Sequence, residues 1–273
     1  MKKILCIVAV VMMLAGCEVI SENERLIPLE VEETELRSER SHLLIEYTGF
    51  KCVNCPTAAE VAQAMQETYG ERLLVVAMHP QTNPFTNTKK AEYDYTCAAA
   101  DSCYLFMGGT KSTPFPTGNL DIVATEGEYM HPHDEWPALL THALHDTVAP
   151  YMAVEAEADS LTRLVTVTIQ TAASEPMECR LAIWLTEDSV SGAQRMPDGS
   201  DNMHYYHRHM LRTTAEDGVW GTVQEIDGDP ATQTRQLTVP ERCDIRHCAV
   251  VALLLHKDDY HVLQTKQTNI QLQ

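Results

Sequence analysis

Hydrophobic and polar positions follow two different patterns along this chain, and the change falls near Ala149-Pro150. Between residues 42 and 146, apolar runs of strand length alternate with segments whose apolar residues recur every three or four positions. This β-α-β-α-β-α order is typical of an α/β unit. The pattern predicts strands at 42–47, 73–79 and 119–124, and helices at 55–69, 89–106 and 134–145.

From Tyr151 onward, apolar residues alternate with polar ones, and turn residues separate the runs. Such period-two runs predict an antiparallel β-sandwich. The chain has 273 residues, which exceeds the roughly 100–150 residues of a common single domain. We therefore predict an α/β domain at 41–149 and an all-β domain at 150–273, with their strands in separate sheets. The predicted sandwich strands are 164–171, 180–186, 203–212, 234–239, 249–256 and 261–272.

The N-terminus carries the pattern of an exported protein. Lys2 and Lys3 precede an apolar run at 4–15, as in a secretory signal, and the run is shorter than the roughly 20 residues of a membrane-spanning helix. It ends in Leu14-Ala15-Gly16-Cys17, which resembles the lipobox of bacterial lipoproteins. We predict a signal peptide at 1–16 and a lipid on Cys17, followed by a lipidated, polar tether at 17–40. A secretory signal cut elsewhere and an uncleaved anchor are the alternatives.

The charge of the chain excludes one class of partner. The formal net charge is −19, and removal of residues 1–16 takes away two lysines and no acidic residue, which makes it −21. Such a surface repels nucleic acid, and we interpret the acidity as favouring solubility outside the cell. The predicted partners are the membrane, through the lipid, and a protein or peptide, with no nucleic acid.

Cys52-Val53-Asn54-Cys55-Pro56 follows a predicted strand and begins a predicted helix. This spacing and context are typical of a thioredoxin-like redox motif. At a helix start, Cys52 would face unpaired N–H groups that favour its thiolate, with a pKa of about 3.5–7.5 against about 8.5 for a free cysteine. Cys55 would be the shielded thiol that resolves a mixed disulfide. The alternatives are a permanent structural disulfide and a zinc site, although the spacing of Cys97 and Cys103 does not fit a second pair of zinc ligands.

A proline lies where a thioredoxin-like fold needs one. Phe115-Pro116-Thr117 directly precedes the third predicted strand, which favours a cis bond at Pro116, with Pro114 as the competing position. In that arrangement the backbone of Phe115 would lie beside Cys52 and pair with an extended peptide. We therefore assign the catalytic role to Cys52, Cys55 and Pro116.

The remaining cysteines and histidines give weaker predictions. Cys243 and Cys248 flank a four-residue connection, and a disulfide between them is the simplest interpretation, with Cys179 left free or replacing one partner. Cys97 and Cys103 form a local disulfide or remain two thiols. His207 and His209 would share a strand face beside His204, but no carboxylate or cysteine completes a metal site. We predict no metal and no cofactor, since phosphate-binding and nucleotide motifs are missing from the sequence.

Several short segments together resemble one protein family. They are Leu44-Ile45-Glu46-Tyr47-Thr48-Gly49 with Cys52-Val53-Asn54-Cys55-Pro56, Phe115-Pro116-Thr117-Gly118, 204–212, 248–252 and 262–264. In order and spacing they resemble the outer-membrane-protein-28-related family, over nearly all of 42–273. The resemblance implies an exported outer-membrane lipoprotein of Gram-negative bacteria, with a thioredoxin-like domain followed by a β-sandwich and a surface or adhesive role. Arg208 stands where family members often have Asn.

Two functions remain open at this point. The first is extracytoplasmic thiol-disulfide exchange through Cys52 and Cys55, where Glu46 and Lys51 would modulate proton transfer or merely be solvated. The second is a non-enzymatic surface or adhesion lipoprotein in which the same cysteines form a structural disulfide.

Overall fold

The computed structural model describes residues 37–88, 90 and 94–273. The predicted signal peptide, Cys17 and most of the predicted tether lie outside the described residues. Strands dominate the described part of the chain. The strands are β1 Arg37–Glu39, β2 His42–Tyr47, β3 Leu73–Met78, β4 Thr117–Leu120, β5 Val148–Ala158, β6 Leu164–Ala172, β7 Met177–Glu187, β8 Val190–Arg195, β9 Asp201–His207, β10 Met210–Thr214, β11 Thr222–Ile226, β12 Ala231–Thr238, β13 Cys248–His256, β14 Val262–Asn269 and β15 Gln271–Leu272. The α-helices are α1 Cys55–Tyr69, α2 Ala98–Phe106 and α3 Trp136–Ala143.

The largest sheet crosses the predicted domain boundary. Its strand order is β14-β13-β7-β10-β3-β2-β4, with β11 also paired to β7. Strand β10 pairs in parallel with β3 through Met210 and Ala77, and antiparallel with β7. The N–H of Ala77 also donates to the carbonyl of His209 at 2.9 Å. The prediction of separate sheets is therefore wrong, because β10 joins the strands of the two halves edge to edge.

A second sheet of five strands completes the architecture. It has the order β1-β5-β6-β12, with β15 paired to β5, and a separate two-stranded sheet consists of β8 and β9. Strand β1 lies before the boundary at 149/150 and pairs with β5, so this sheet also contains residues from both sides. The described residues belong to one compact unit.

Three apolar cores follow from the alternation of side chains along the strands. On β2, Leu43 and Ile45 pack in the core that contains α2, whereas Leu44 packs on the other face with α1 and α3. On β13, Leu253 belongs to the α2 core and Leu254 to the core shared with the five-stranded sheet. Strands β2, β3 and β13 are consequently buried on both faces, which explains their nearly continuous apolar sequences.

Two predicted elements differ from the observed ones for local reasons. The helix predicted from residue 89 begins only at Ala98, because Cys97 before it has an extended backbone. The Asp94 carboxylate accepts from the backbone N–H of Thr96 at 3.1 Å, which competes with helical bonding there. The strand predicted at 203–212 is divided into β9 and β10, since His209 has a positive φ of 52°. Among the described residues, no helix has the length and apolar character that crossing a membrane requires.

Candidate functional site

A disulfide joins Cys52 and Cys55 at the start of α1, with a Cα–Cα distance of 5.4 Å. Cys55 is the first residue of the helix, and the preceding Asn54 makes no side-chain capping bond. The Cys52 N–H donates to the carbonyl of Gly49 at 3.0 Å, which closes the loop ahead of the helix. The predicted helix 55–69 is confirmed, and the pair lies beside the positive end of its dipole.

Both sulfur-bearing residues are buried. Cys52 and Cys55 are each 1% exposed, so Cys52 is as shielded as Cys55. The hairpin of β8 and β9 explains the burial: the Gln194 side-chain amide donates to the Cys52 carbonyl at 2.9 Å, and the Arg195 N–H donates to the Phe50 carbonyl at 2.7 Å. A segment from the second half of the chain therefore covers the disulfide loop.

The Phe115-Pro116 bond is cis, so the cis bond lies at Pro116 and not at the competing Pro114. Strand β4 begins at the next residue and pairs antiparallel with β2. Phe115 itself is 7% exposed, and its ring lies 6.0 Å from Phe85 and 5.9 Å from Tyr104 between centroids. Phe115 and both cysteines contribute to the same apolar core.

A cavity of 340 Å³ runs beside α1, and both Cys55 and Glu46 line it. Glu46 lies on β2 and is 4% exposed. Its Oε1 atom is buried and makes no hydrogen bond, and burial raises its pKa from 4.5 to about 8. Because a carboxyl with this pKa is protonated at neutral pH, the cavity holds a carboxylic acid that can give up or take a proton near pH 8.

Four histidines also line this cavity. They are His79, His204, His207 and His209. Burial lowers the pKa of His79, and electrostatic interactions with His207 and Arg212 lower it further. Burial also lowers the pKa of His207, to about 4. The expectation that His207 and His209 share a strand face is wrong, because β9 ends at His207 and β10 starts only at Met210. The rings of His79 and His207 are thus neutral at pH 7.

The other cysteines of the described part of the chain are thiols. Cys243 and Cys248, predicted as a disulfide, are free. The Arg212 Nε donates to the Cys243 sulfur at 3.2 Å, and the Cys248 thiol donates to the Asp244 carbonyl at 3.3 Å. The interaction of Cys243 with the Cys248 side chain, together with the hydrogen bond and charge of Arg212, lowers the pKa of Cys243 to about 7. These contacts hold two thiols in place of the predicted covalent bond.

Cys97, Cys103 and Cys179 are likewise free, so the local disulfide between Cys97 and Cys103 is not formed. Cys97 bonds to the Leu211 carbonyl at 3.4 Å, and burial raises the pKa of Cys103 and raises that of Cys179 to about 11. These three thiols are therefore un-ionised and unreactive near neutral pH.

Sequence reasoning missed two residues of the site. Gln194, above the Cys52 carbonyl, carries no local signal, because its partner lies 142 positions away. His79 ends the apolar run of β3 and is 2% exposed with both ring nitrogens unbonded. Glu46 carried a readable signal, since it is the one charged residue in the buried run 43–47.

The fold and the site together define a class: a β-rich protein with several sheets, in which a disulfide begins a helix that packs on the largest sheet. The model of the family described as outer membrane protein Omp28 matches residues 108–273, more than half of the chain. The chain belongs to the Omp28 family. This membership confirms the predicted outer-membrane location.

Two solved structures match parts of this chain. HBP35 of Porphyromonas gingivalis is similar over 85% of this chain and 76% of its own length, with a TM-score of 0.65 and 15% identity, and so shares the fold. A domain of the outer membrane lipoprotein Omp28 from Porphyromonas gingivalis is 17% identical, and the match covers 45% of this chain and 95% of that domain with a TM-score of 0.31. No curated protein matches the chain.

Proposed function

We propose that this Omp28-family protein exchanges disulfides with protein dithiols outside the cytoplasm, through Cys52 and Cys55 in a thioredoxin-like half that spans 41–149. The observation that carries the proposal is that Glu46 and Cys55 line one cavity. A purely structural disulfide needs no buried carboxyl beside it, and burying such a group unpaired costs free energy. The position of Cys55 at the start of α1 supports the same proposal.

The exchange balances with the residues present. A substrate thiolate attacks the Cys52 sulfur, the Cys52–Cys55 bond breaks, and a mixed disulfide forms while Cys55 leaves as a thiolate. Glu46, protonated at neutral pH, supplies the proton that Cys55 takes up. The second substrate thiolate then attacks the substrate sulfur of the mixed disulfide and releases Cys52 as a thiolate. The substrate is thereby oxidised to a disulfide, and Cys52 and Cys55 are reduced. In the reverse direction Glu46 accepts the proton of Cys55.

The hairpin of β8 and β9 makes this a gated reaction. Since both cysteines are 1% exposed, a protein substrate reaches the Cys52 sulfur only after the Gln194 contact opens. The cavity beside Cys55 is lined by residues of that hairpin, including Tyr205 and His207. Opening therefore exposes the disulfide and the proton donor together.

The decisive experiment measures the reduction potential of the Cys52–Cys55 pair and tests whether a mixed disulfide at Cys52 can be trapped. We expect a reduction potential between about −120 and −270 mV, the range of exchange-active pairs. Cys55→Ser should accumulate mixed disulfides at Cys52 with exported proteins, whereas Cys103→Ser, which removes a buried thiol of the same core, should trap none. A potential below about −300 mV with no trapped partner would reject the exchange function.

In that case the second candidate stands: a non-enzymatic surface or adhesion lipoprotein with a structural disulfide. The burial of both cysteines favours it. The two candidates share the membrane attachment, which we propose is a lipid on Cys17 after removal of residues 1–16. Cys17→Ser should abolish palmitate labelling and release the protein from the membrane fraction, and retained labelling would reject that anchor.

A further inference from the structure

The turn between β13 and β14 places two histidines face to face. His256 ends β13 and His261 directly precedes β14, and the His256 N–H donates to the His261 carbonyl at 2.8 Å. Their rings are stacked, with centroids 4.8 Å apart and an angle of 15° between planes. Residues on opposed strands at this spacing present their side chains on one face of the hairpin.

A carboxylate lies between the two rings. Asp259 Oδ1 is 2.8 Å from the Nδ1 of His261 and 2.9 Å from the Nδ1 of His256. The His256 Nδ1 is nevertheless buried without a hydrogen bond, because its contact with the carboxylate lacks hydrogen-bond geometry. The Nδ1 of His261 hydrogen-bonds to the same oxygen. In a neutral imidazole one ring nitrogen carries a lone pair, and such a nitrogen can bind a metal ion together with a neighbouring carboxylate oxygen.

We propose that His256, Asp259 and His261 bind a divalent transition-metal cation of the zinc class. The three ligand atoms lie within 4.8 Å of one another. Two imidazole nitrogens and one carboxylate oxygen suit zinc, copper or nickel, and three protein ligands leave a fourth position for water. The side chains are 37%, 60% and 32% exposed respectively, so solvent reaches that position. This site is independent of the disulfide and of the proposed exchange.

Neighbouring residues hold the turn in place. The Arg180 Nε donates to the Lys257 carbonyl at 2.9 Å, and its guanidinium lies 5.2 Å from the centre of the Tyr260 ring. The Tyr260 ring also stacks on Trp220, with centroids 4.6 Å apart, and meets Phe106 edge-on at 5.2 Å. The backbone of residues 257–260 is thereby fixed from two sides, and a fixed backbone reduces the entropy that three ligands lose when a metal binds.

The test is calorimetric titration of the full-length, detergent-solubilised chain with ZnCl₂, with Cys52 and Cys55 oxidised. We expect one Zn²⁺ per chain at this site, and at least a tenfold loss of affinity in His256→Gln/His261→Gln and in Asp259→Asn. The matched control is His142→Gln/His145→Gln, since these rings lie 6.4 Å apart and have no converging carboxylate. That variant should bind Zn²⁺ like the parent chain.

A second readout reports the position of the metal. Because Trp220 stacks on Tyr260, Cu²⁺ at the site should quench Trp220 fluorescence, and the quenching should vanish in Trp220→Phe and in His256→Gln/His261→Gln. Circular dichroism establishes that each variant is folded. Equal Zn²⁺ affinity in the parent chain and the His256/His261 variant, or a loss confined to the His142/His145 variant, would overturn the proposal.

Discussion

Glu46 is the residue on which pH should act most strongly. Its carboxyl has a pKa of about 8 in the folded chain, against the ordinary 4.5. Between these pH values the Glu46 carboxyl is ionised in the unfolded chain and protonated in the folded chain. The stability that its protonation contributes is therefore fully present below pH 4.5 and decreases as the pH rises towards 8. Glu46→Gln should remove this dependence and stabilise the chain at pH 8 by on the order of 3–5 kcal/mol.

Urea unfolding of both chains between pH 4 and pH 9 measures the effect. The control is Glu60→Gln on the exposed side of α1, which should leave the pH profile within about 0.5 kcal/mol of the parent. Parallel profiles for the parent chain and Glu46→Gln would contradict the buried, protonated state of this carboxyl.

Arg212 and Glu187 form a buried ion pair at the junction strand β10. The Arg212 Nε lies 3.1 Å from Glu187 Oε2, and the two side chains are 4% and 6% exposed. Arg212→Met leaves the Glu187 carboxylate uncompensated and should destabilise the chain by about 3–5 kcal/mol. It should also raise the pKa of Cys243, because the guanidinium that favours its thiolate is lost.

Denaturant unfolding and thiolate absorbance near 240 nm follow these two effects. Arg246→Met is the surface control, since Arg246 pairs with Asp244 but is 73% exposed, and its loss should cost less than about 1 kcal/mol. A similar cost for both variants would show that burial of the Arg212 pair contributes nothing.

At the scale of elements, the β8 and β9 hairpin covers the disulfide loop, and we expect it to limit access to the disulfide. Gln194→Ala removes the hydrogen bond to the Cys52 carbonyl, which is worth about 1 kcal/mol, or about a fivefold change in the opening equilibrium. Reduction of Cys52–Cys55 by a phosphine should therefore be several times faster, measured by alkylation of the two cysteines over time. Gln236→Ala on the exposed side of β12 should reduce at the parent rate, and equal rates for both variants would mean that the hairpin is no barrier.

The elements differ in how far sequence predicts them. Helix α1 was predictable because Ala58, Ala62 and Met65 recur on one face and Pro56 fixes its start. The hairpin was not, because its contacts with residues 49–52 join segments far apart in the chain. The break between β9 and β10 was also not predictable from the sequence. His209 interrupts the strand through its positive φ, whereas the sequence pattern continues on both sides of it. Local sequence motifs predicted the disulfide and the cis bond at Pro116. The hairpin that covers the disulfide loop depends on contacts between distant parts of the chain.

For the whole molecule, the shared sheet predicts a single unfolding event. All three α-helices of the described chain precede residue 150, whereas Trp184 and Trp220 follow it. Helix ellipticity at 222 nm and tryptophan fluorescence should therefore give the same urea midpoint, with Trp136→Phe used to confine fluorescence to the second half. Limited proteolysis should yield no stable fragment ending near 149/150. Two separate midpoints would restore the two-domain interpretation.

The position of the hairpin along the chain also orders events during secretion. A protein that leaves the inner membrane from its N-terminus delivers Cys52 well before Gln194, which lies 142 residues later. We therefore expect the cysteine pair to be accessible to oxidants while its cover is still being translocated. The bond would then form before β8 and β9 fold over it. On this view, oxidation during biogenesis does not require the opening of the hairpin that the finished protein would need.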